Sequence, residues 1–128
     1  MANIGYVRVS TTEQNTGRQF ALFSERGIKL DRIYEEKVSG KDTKGRPELA
    51  KMLDYVRDGD TVYIESISRL ARNIMDLLKI VQQLQDKKVE LVSLKETIDT
   101  STPQGKFLLS IFGAMAELER DTIKQRQR

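Results

Sequence analysis

The sequence predicts an α/β domain in which a mostly parallel central sheet is flanked by helices and followed by a long C-terminal oligomerisation helix. Three observations predict it. Short apolar, β-branched runs alternate four times with segments of helical character within 128 residues, and parallel neighbours need crossover connections of this kind. Ile74, Leu77, Leu78, Val81 and Leu84 recur at spacings of three and four, the period of one helix face. After Pro103 nothing breaks a helix before the end of the chain.

The elements follow in order. Ile4 to Val9, Ile33-Tyr34, Thr61 to Ile64 and Val89 to Leu94 have strand length and composition. Phe20, Leu22 and Phe23 mark the first helix, closed by Gly27; Leu49, Met52, Leu53 and Val56 mark the second, closed by Gly59. Ser39 to Gly45, with two glycines and mixed charge, reads as a mobile loop. Ser101 or Thr102 caps the last helix and Pro103 opens it, giving a run of about 25 residues. In that helix Leu108, Ile111, Met115, Leu118, Thr122 and Gln125 form a heptad seam. The seam can pack on the domain's own sheet, but so long a helix outruns a small sheet, so its second half is expected to meet another subunit. Residues 1–102 are expected to form the core and 103–128 the helix.

A chain of this length buries a sizeable core as one domain. It contains no Cys and no His, which removes the commonest zinc ligands, the catalytic thiol and any Ser-His-Asp relay. Chemistry must therefore run on Ser, Arg, Lys, Tyr and carboxylates. No apolar stretch approaches the ~18 residues of a membrane span, and no signal-peptide pattern opens the chain; a soluble cytoplasmic protein is expected. Arg120, Lys124, Arg126 and Arg128 against Asp121 account for the whole net charge of +3. The basic excess thus sits at the end of the long helix, as a solvated face or as a nucleic-acid contact.

The chemistry centres on Tyr6-Val7-Arg8-Val9-Ser10, a strand-like run that carries an arginine and ends in a serine. Ser10-Thr11-Thr12-Glu13 fits a capping box; the other reading makes Ser10 a nucleophile activated by neighbouring cations. Arg8 lies two residues earlier, so the two side chains share a face if the strand stays regular. An inward arginine needs a partner, either a core carboxylate or an anionic ligand. Arg69 and Arg72 sit three apart at the expected start of the third helix, on one face, where free amides and the dipole also favour anions; alone, such a pair is more often surface charge. Arg46, before Pro47, marks another helix start. Guanidiniums engage a phosphate oxygen with two N–H groups at once, and four could offset the charge of a pentacoordinate phosphorane without a divalent metal.

Together these segments resemble the serine recombinases, and more narrowly the catalytic domain of the resolvase/invertase family. The hallmarks are the Tyr-x-Arg-x-Ser opening, a Ser-Gly loop at Ser39-Gly40, the Arg69-Leu70-Ala71-Arg72 segment and a late helix with Glu119-Arg120. The resemblance spans essentially the whole chain. It implies that Ser10 is the nucleophile and that Arg8, Arg46, Arg69 and Arg72 grip the scissile phosphate. Gln14 and Gln19 would place Ser10 or the substrate, or simply face solvent. Tyr6 would support the site or pack in the core. Glu36 and Asp60 would orient arginines or organise loops. Arg120, beside Glu119, would serve the site indirectly or contact DNA, and Lys124, Arg126 and Arg128 would lie along the minor groove.

The implied activity is DNA recombination through a 5′-phosphoserine intermediate, with cleavage of four strands, subunit rotation and religation. Neither metal nor any other cofactor is implied. The implied partners are double-stranded DNA and further copies of the chain, as a homodimer that pairs into a homotetramer on two sites. A bacterial, phage or mobile-element setting follows.

Three residues depart from the family pattern: Ser68 stands where an aspartate is common, Tyr55 where some members carry lysine, and Gln125 where many have glutamate. No helix-turn-helix segment follows within the chain, so a catalytic fragment or a natural truncation with weak, salt-sensitive DNA affinity is expected. A nucleotide-binding α/β domain lacks support because no Gly-rich phosphate loop is visible. An inactive regulatory dimerisation module is the remaining alternative, and retention of Ser10, Arg8, Arg69 and Arg72 argues against it.

Overall fold

The structure, a computed structural model, describes residues 2–10, 17–38 and 46–126, without the side chains of Ser10, Arg18, Val38, Arg120 and residues 122–126. The described chain runs β1 (Asn3–Ser10), α1 (Gly17–Glu25), β2 (Arg32–Val38), α2 (Pro47–Tyr55), β3 (Thr61–Ile64), a 3-10 turn (Ile67–Arg69), α3 (Ile74–Asp86), β4 (Glu90–Ser93), β5 (Ile98–Asp99) and α4 (Pro103–Arg126). The sheet order is β2-β1-β3-β4-β5, with β1 to β4 parallel and β5 antiparallel to β4. This is the mostly parallel α/β architecture expected from the alternating pattern. The short β5 escapes sequence reading because two residues cannot display an alternation.

Alternation along β1 builds two cores. Ile4 and Tyr6 pack with Met52 of α2 and with Leu77, Ile80 and Leu84 of α3. Val7 and Val9 pack on the opposite face against Phe23, with Phe20 and Leu22 alongside. A sheet covered on both faces explains why its strands read as near-continuous apolar runs.

Gly27 adopts φ +70, and the bonds from Gly27 N–H to Ser24 O and from Ile28 N–H to Phe23 O, both 3.0 Å, close α1 in a Schellman motif. The α3 terminus is built the same way with Lys88 at φ 60 in the glycine position, Lys88 N–H bonding Gln85 O at 2.9 Å and Val89 N–H bonding Leu84 O at 2.8 Å. No glycine marks that end, yet the Val89–Leu84 contact in the core holds the motif.

Thr102 is the cap of α4, its Oγ1 accepting the Gly105 N–H at 3.1 Å. The helix spans 24 residues, about 36 Å at 1.5 Å per residue. Leu109 and Phe112 lie against the core and Ala116 is buried. Phe107, Ile111, Met115 and Leu118 are 66, 39, 46 and 67% exposed. The face that packs on the domain is therefore not the expected seam: the domain body takes a separate stripe through Gly105, Leu109, Phe112 and Ala116, and leaves Ile111, Met115 and Leu118 of the seam uncovered within a single chain. No helix among the described residues is long and apolar enough to cross a membrane.

Gly105 is where α4 meets the sheet edge: a Cβ there would stand 1.9 Å from Asp99 O. Gly113 has open space. Two alanine substitutions in one helix should consequently have opposite signs. Gly113→Ala is expected to stabilise by about 1 kcal/mol through helix propensity, and Gly105→Ala to destabilise by ~1–3 kcal/mol through overpacking, as read from urea unfolding midpoints.

Candidate active site

The strand order sets the position of the site. α1, which follows β1, packs on one face of the sheet and α3, which follows its neighbour β3, on the other, and the carboxyl ends of two such strands are where open α/β sheets usually form a ligand crevice. Ser10 is the last residue of β1, and pairing with β2 runs regularly through Ser10↔Val38. Its side chain, the capping box at Ser10-Thr11-Thr12-Glu13, Gln14, the loop from Ser39 to Gly45 and Arg128 lie outside the described residues.

Arg8 and Arg69 cross-link the crevice reciprocally. Arg8 Nη2 donates to the Ser68 carbonyl, and Arg69 Nη1 donates to the Arg8 carbonyl at 3.1 Å. Gln19, buried on α1, donates to that same carbonyl through Nε2 at 3.4 Å. Burial lowers the Arg8 pKa; Tyr6 opposes that shift, while the charges of Arg46, Arg69 and Arg72 add to it. The four arginines thus share one electrostatic neighbourhood.

Arg69 and Arg72 do not begin the third helix as the spacing suggests. Arg69 ends the 3-10 turn, Leu70 and Ala71 turn into the core, and Arg72 precedes the Asn73 cap of a helix that starts at Ile74. Burial of the two intervening apolar residues breaks the helical path. Asn73 Oδ1 accepts the Asp76 N–H at 2.8 Å, so the first turn of α3 is already capped from within. The 3-10 turn is held from the other side by Glu96, whose two oxygens accept the Ile67 N–H at 3.2 Å. Ser68, in place of the aspartate of the pattern, brings its Oγ within 3.0 Å of Ser66 Oγ.

Arg46 occupies the N-cap of α2, whose amides are satisfied from β2. The buried Glu36 carboxylate accepts the Glu48 and Leu49 N–H groups, each at 3.1 Å, and lies 3.4 Å from the Tyr6 hydroxyl that donates to it. A negative charge at a helix start is favourable, and here it fixes where α2 begins and so where Arg46 stands. The Tyr6 ring packs in the core and its hydroxyl meets Glu36. Burial, reinforced by the Glu36 charge, pushes the Tyr6 phenol well above its ordinary range.

Asp60 stands at the opposite end of the sheet. It accepts the Ala2 N–H and the Arg57 N–H, both at 3.0 Å, which organises the loop into β3 and leaves it no part among the arginines. Glu119 is exposed on α4. Arg120, Lys124 and Arg126 belong to the backbone of its last turns, with their side chains outside the description.

The sequence reading passes over Asp76. Its carboxylate makes a two-pronged pair with Arg46, Oδ2 to Nη1 and Oδ1 to Nη2, each 2.9 Å. An acid in a first helical turn, four residues after Arg72, was the available signal. Burial works against the charged form, but the Arg46 hydrogen bonds, the Arg72 amide and the charges of both arginines outweigh it and hold the carboxyl below its ordinary range. The same bonds hold Arg46 protonated.

These features meet in a family already defined by fold and motif together. A family model described as "Resolvase, N terminal domain" matches residues 3–128. The chain is 43% identical over 131 residues to the Transposon Tn1546 resolvase of Enterococcus faecium, covering 100% of this chain and 67% of the relative. It is 45% identical over 125 residues to a DNA-invertase of Enterobacteria phage P7, covering 98% and 66% respectively. The chain thus spans about two thirds of the length of these relatives. Among solved structures, a resolvase family site-specific recombinase from Streptococcus pneumoniae superposes with TM-score 0.76 at 31% identity, covering 98% of this chain and 91% of that one. The N-terminal catalytic domain of TP901-1 integrase gives TM-score 0.76 at 26% identity, covering 94% and 97%. The protein belongs to the resolvase/invertase family of serine recombinases and corresponds to its N-terminal catalytic domain.

Two outcomes follow from the geometry. Glu36→Ala is expected to destabilise by about 2–3 kcal/mol, because three donors lose a charged acceptor, and Glu36→Gln by ~1 kcal/mol, because an acceptor remains; urea unfolding reads both. Asp76 has a depressed pKa, so its stabilisation is complete above the unfolded carboxyl value near pH ~4 and is lost as pH falls through its lower folded value. Stability of Asp76→Asn should therefore fall less steeply than wild type below pH ~4, a difference that thermal melts across pH 2 to 5 will read.

Proposed function

We propose that the chain catalyses the strand cleavage and rejoining of a site-specific DNA recombinase with Ser10 as nucleophile. The observation that carries this reading is the convergence of Arg8, Arg69 and Arg46, whose guanidiniums bond the carbonyls of Ser68, Arg8 and Leu70, at the carboxyl edge where the strand bearing Ser10 ends, with Arg72 near enough for its charge to act on Arg8. Ser10 Oγ forms a bond to the phosphorus while the P–O3′ bond breaks. The serine proton is lost, the departing oxygen gains one as a 3′-hydroxyl, and the phosphate remains on the 5′ end as a phosphoserine ester. Religation reverses the step with the ester's energy conserved. The guanidiniums neutralise the phosphorane, and their permanent charge suits that task.

In this reading Gln14, Gln19 and Tyr6 support the serine strand, and Glu36 supports Arg46. Arg120, Lys124, Arg126 and Arg128 on or beyond α4 take DNA phosphates. Residues 1–102 act as the catalytic core and 103–128 as the dimerisation and DNA-contacting helix. The uncovered stripe of Phe107, Ile111, Met115 and Leu118 supports a homodimer, and two dimers on paired double-stranded sites would supply the four serines that four strands need. That stripe alone would also suit an inactive dimerisation module, which gives no role to the clustered arginines.

The test joins residues 1–128 to a DNA-binding domain of known specificity, supplies supercoiled DNA with paired sites in chelator, and quenches with denaturant. A covalent 5′-linked protein–DNA species is expected from wild type and none from Ser10→Ala. Full occupancy of both sites without adduct from wild type would favour the inactive module.

A further inference from the structure

One carboxylate joins the segments that carry three of the four arginines. Asp76 Oδ2 accepts from Arg46 Nη1 and from the Arg72 N–H, both at 2.9 Å, and Oδ1 accepts from Arg46 Nη2 at 2.9 Å. Arg46 Nη1 also donates to Leu70 O at 3.0 Å, immediately after Arg69. The start of α2 is thereby pinned to the bend between the 3-10 turn and α3. Both side chains of the pair are largely buried, 16 and 17% exposed, so solvent and salt screen it less than a surface pair.

The geometry of the grip matters. Asp76 takes the guanidinium end-on through Nη1 and Nη2. The remaining edge, Nε with the second hydrogen of Nη2, makes no hydrogen bond to any described residue, and its two parallel N–H groups match two oxygens of a phosphate. Without the carboxylate, Arg46 would lose its hydrogen-bonded counter-charge beside Arg8 and keep only the more distant charge of Glu36.

We propose that Asp76 is a positioning residue for strand cleavage: it holds Arg46 by one edge so that the other is presented to the scissile phosphate, and it anchors the backbone of Arg72 in the same frame. This rests on the recombinase reading above. Asp76 itself touches no substrate; it acts through Arg46.

The experiment uses the same fusion and paired-site DNA, with adduct formation followed in time and site occupancy measured beside it. Asp76→Asn keeps the volume and an acceptor for the Arg72 N–H but removes the charge and the second acceptor. Its rate of adduct formation is expected to fall roughly 10- to 100-fold, the scale of a misplaced catalytic group, at unchanged occupancy. In Asp76→Asn/Arg46→Ala the rate should be no lower than in Arg46→Ala alone, since the guanidinium is gone and the asparagine amide oxygen still accepts the Arg72 N–H. If Asp76→Asn does not fold, Asp76→Glu shifts the carboxylate by one methylene and should give a smaller loss with the same non-additivity. Multiplying effects, or Asp76→Asn cleaving at the wild-type rate or faster, would overturn the proposal while leaving the recombinase reading intact. A wild-type fusion that occupies both sites and forms no adduct overturns that reading and the proposal together.

Discussion

Gathering four guanidiniums at one edge of a small sheet is the constraint around which the rest is arranged. Like charges this close repel, and Arg8 registers the repulsion of Arg46, Arg69 and Arg72 on top of its own burial. The fold answers with acceptors placed by backbone rather than by surface side chains. Carbonyls of Arg8, Ser68 and Leu70 each take an arginine N–H, and Asp76 supplies a full negative charge to Arg46. Carbonyl acceptors leave the net charge positive. An edge neutralised by four carboxylates would have no field left for an anionic substrate.

Each acceptor is fixed by something buried. The Ser68 and Leu70 carbonyls belong to a bend whose path is set by Leu70 and Ala71 entering the core. Arg46 stands where α2 starts, and α2 starts where Glu36 offers its carboxylate to two amides. Glu36 in turn sits on β2, in register with Arg8 on β1. The chain of cause therefore runs from strand pairing through one buried acid to the placement of a cation, and packing rather than surface electrostatics holds the site.

The long helix divides its faces by the same logic. Gly105 permits contact with the backbone at Asp99, and Leu109, Phe112 and Ala116 continue that contact. What remains on the other side is apolar as well, and a lone chain does not cover it. The helix is thus apolar on two sides, of which the domain's own core covers one.

From the sequence alone came the alternation of strands and helices, the single domain, the arginine-bearing strand ending in Ser10 and the long final helix. All of these rest on local period and residue type, which neighbouring positions determine. Tertiary structure alone decided the rest. The two-residue β5 exists because β4 offers it an edge. Arg69 and Arg72 left the helix because Leu70 and Ala71 were claimed by the core. Asp60, chemically as plausible as Glu36, was carried to the far end of the sheet by its place before β3 instead of within β2. Asp76 became the partner of Arg46 across 30 positions of chain, a pairing invisible to any local pattern because it depends on how α2 and α3 pack on one face of the sheet.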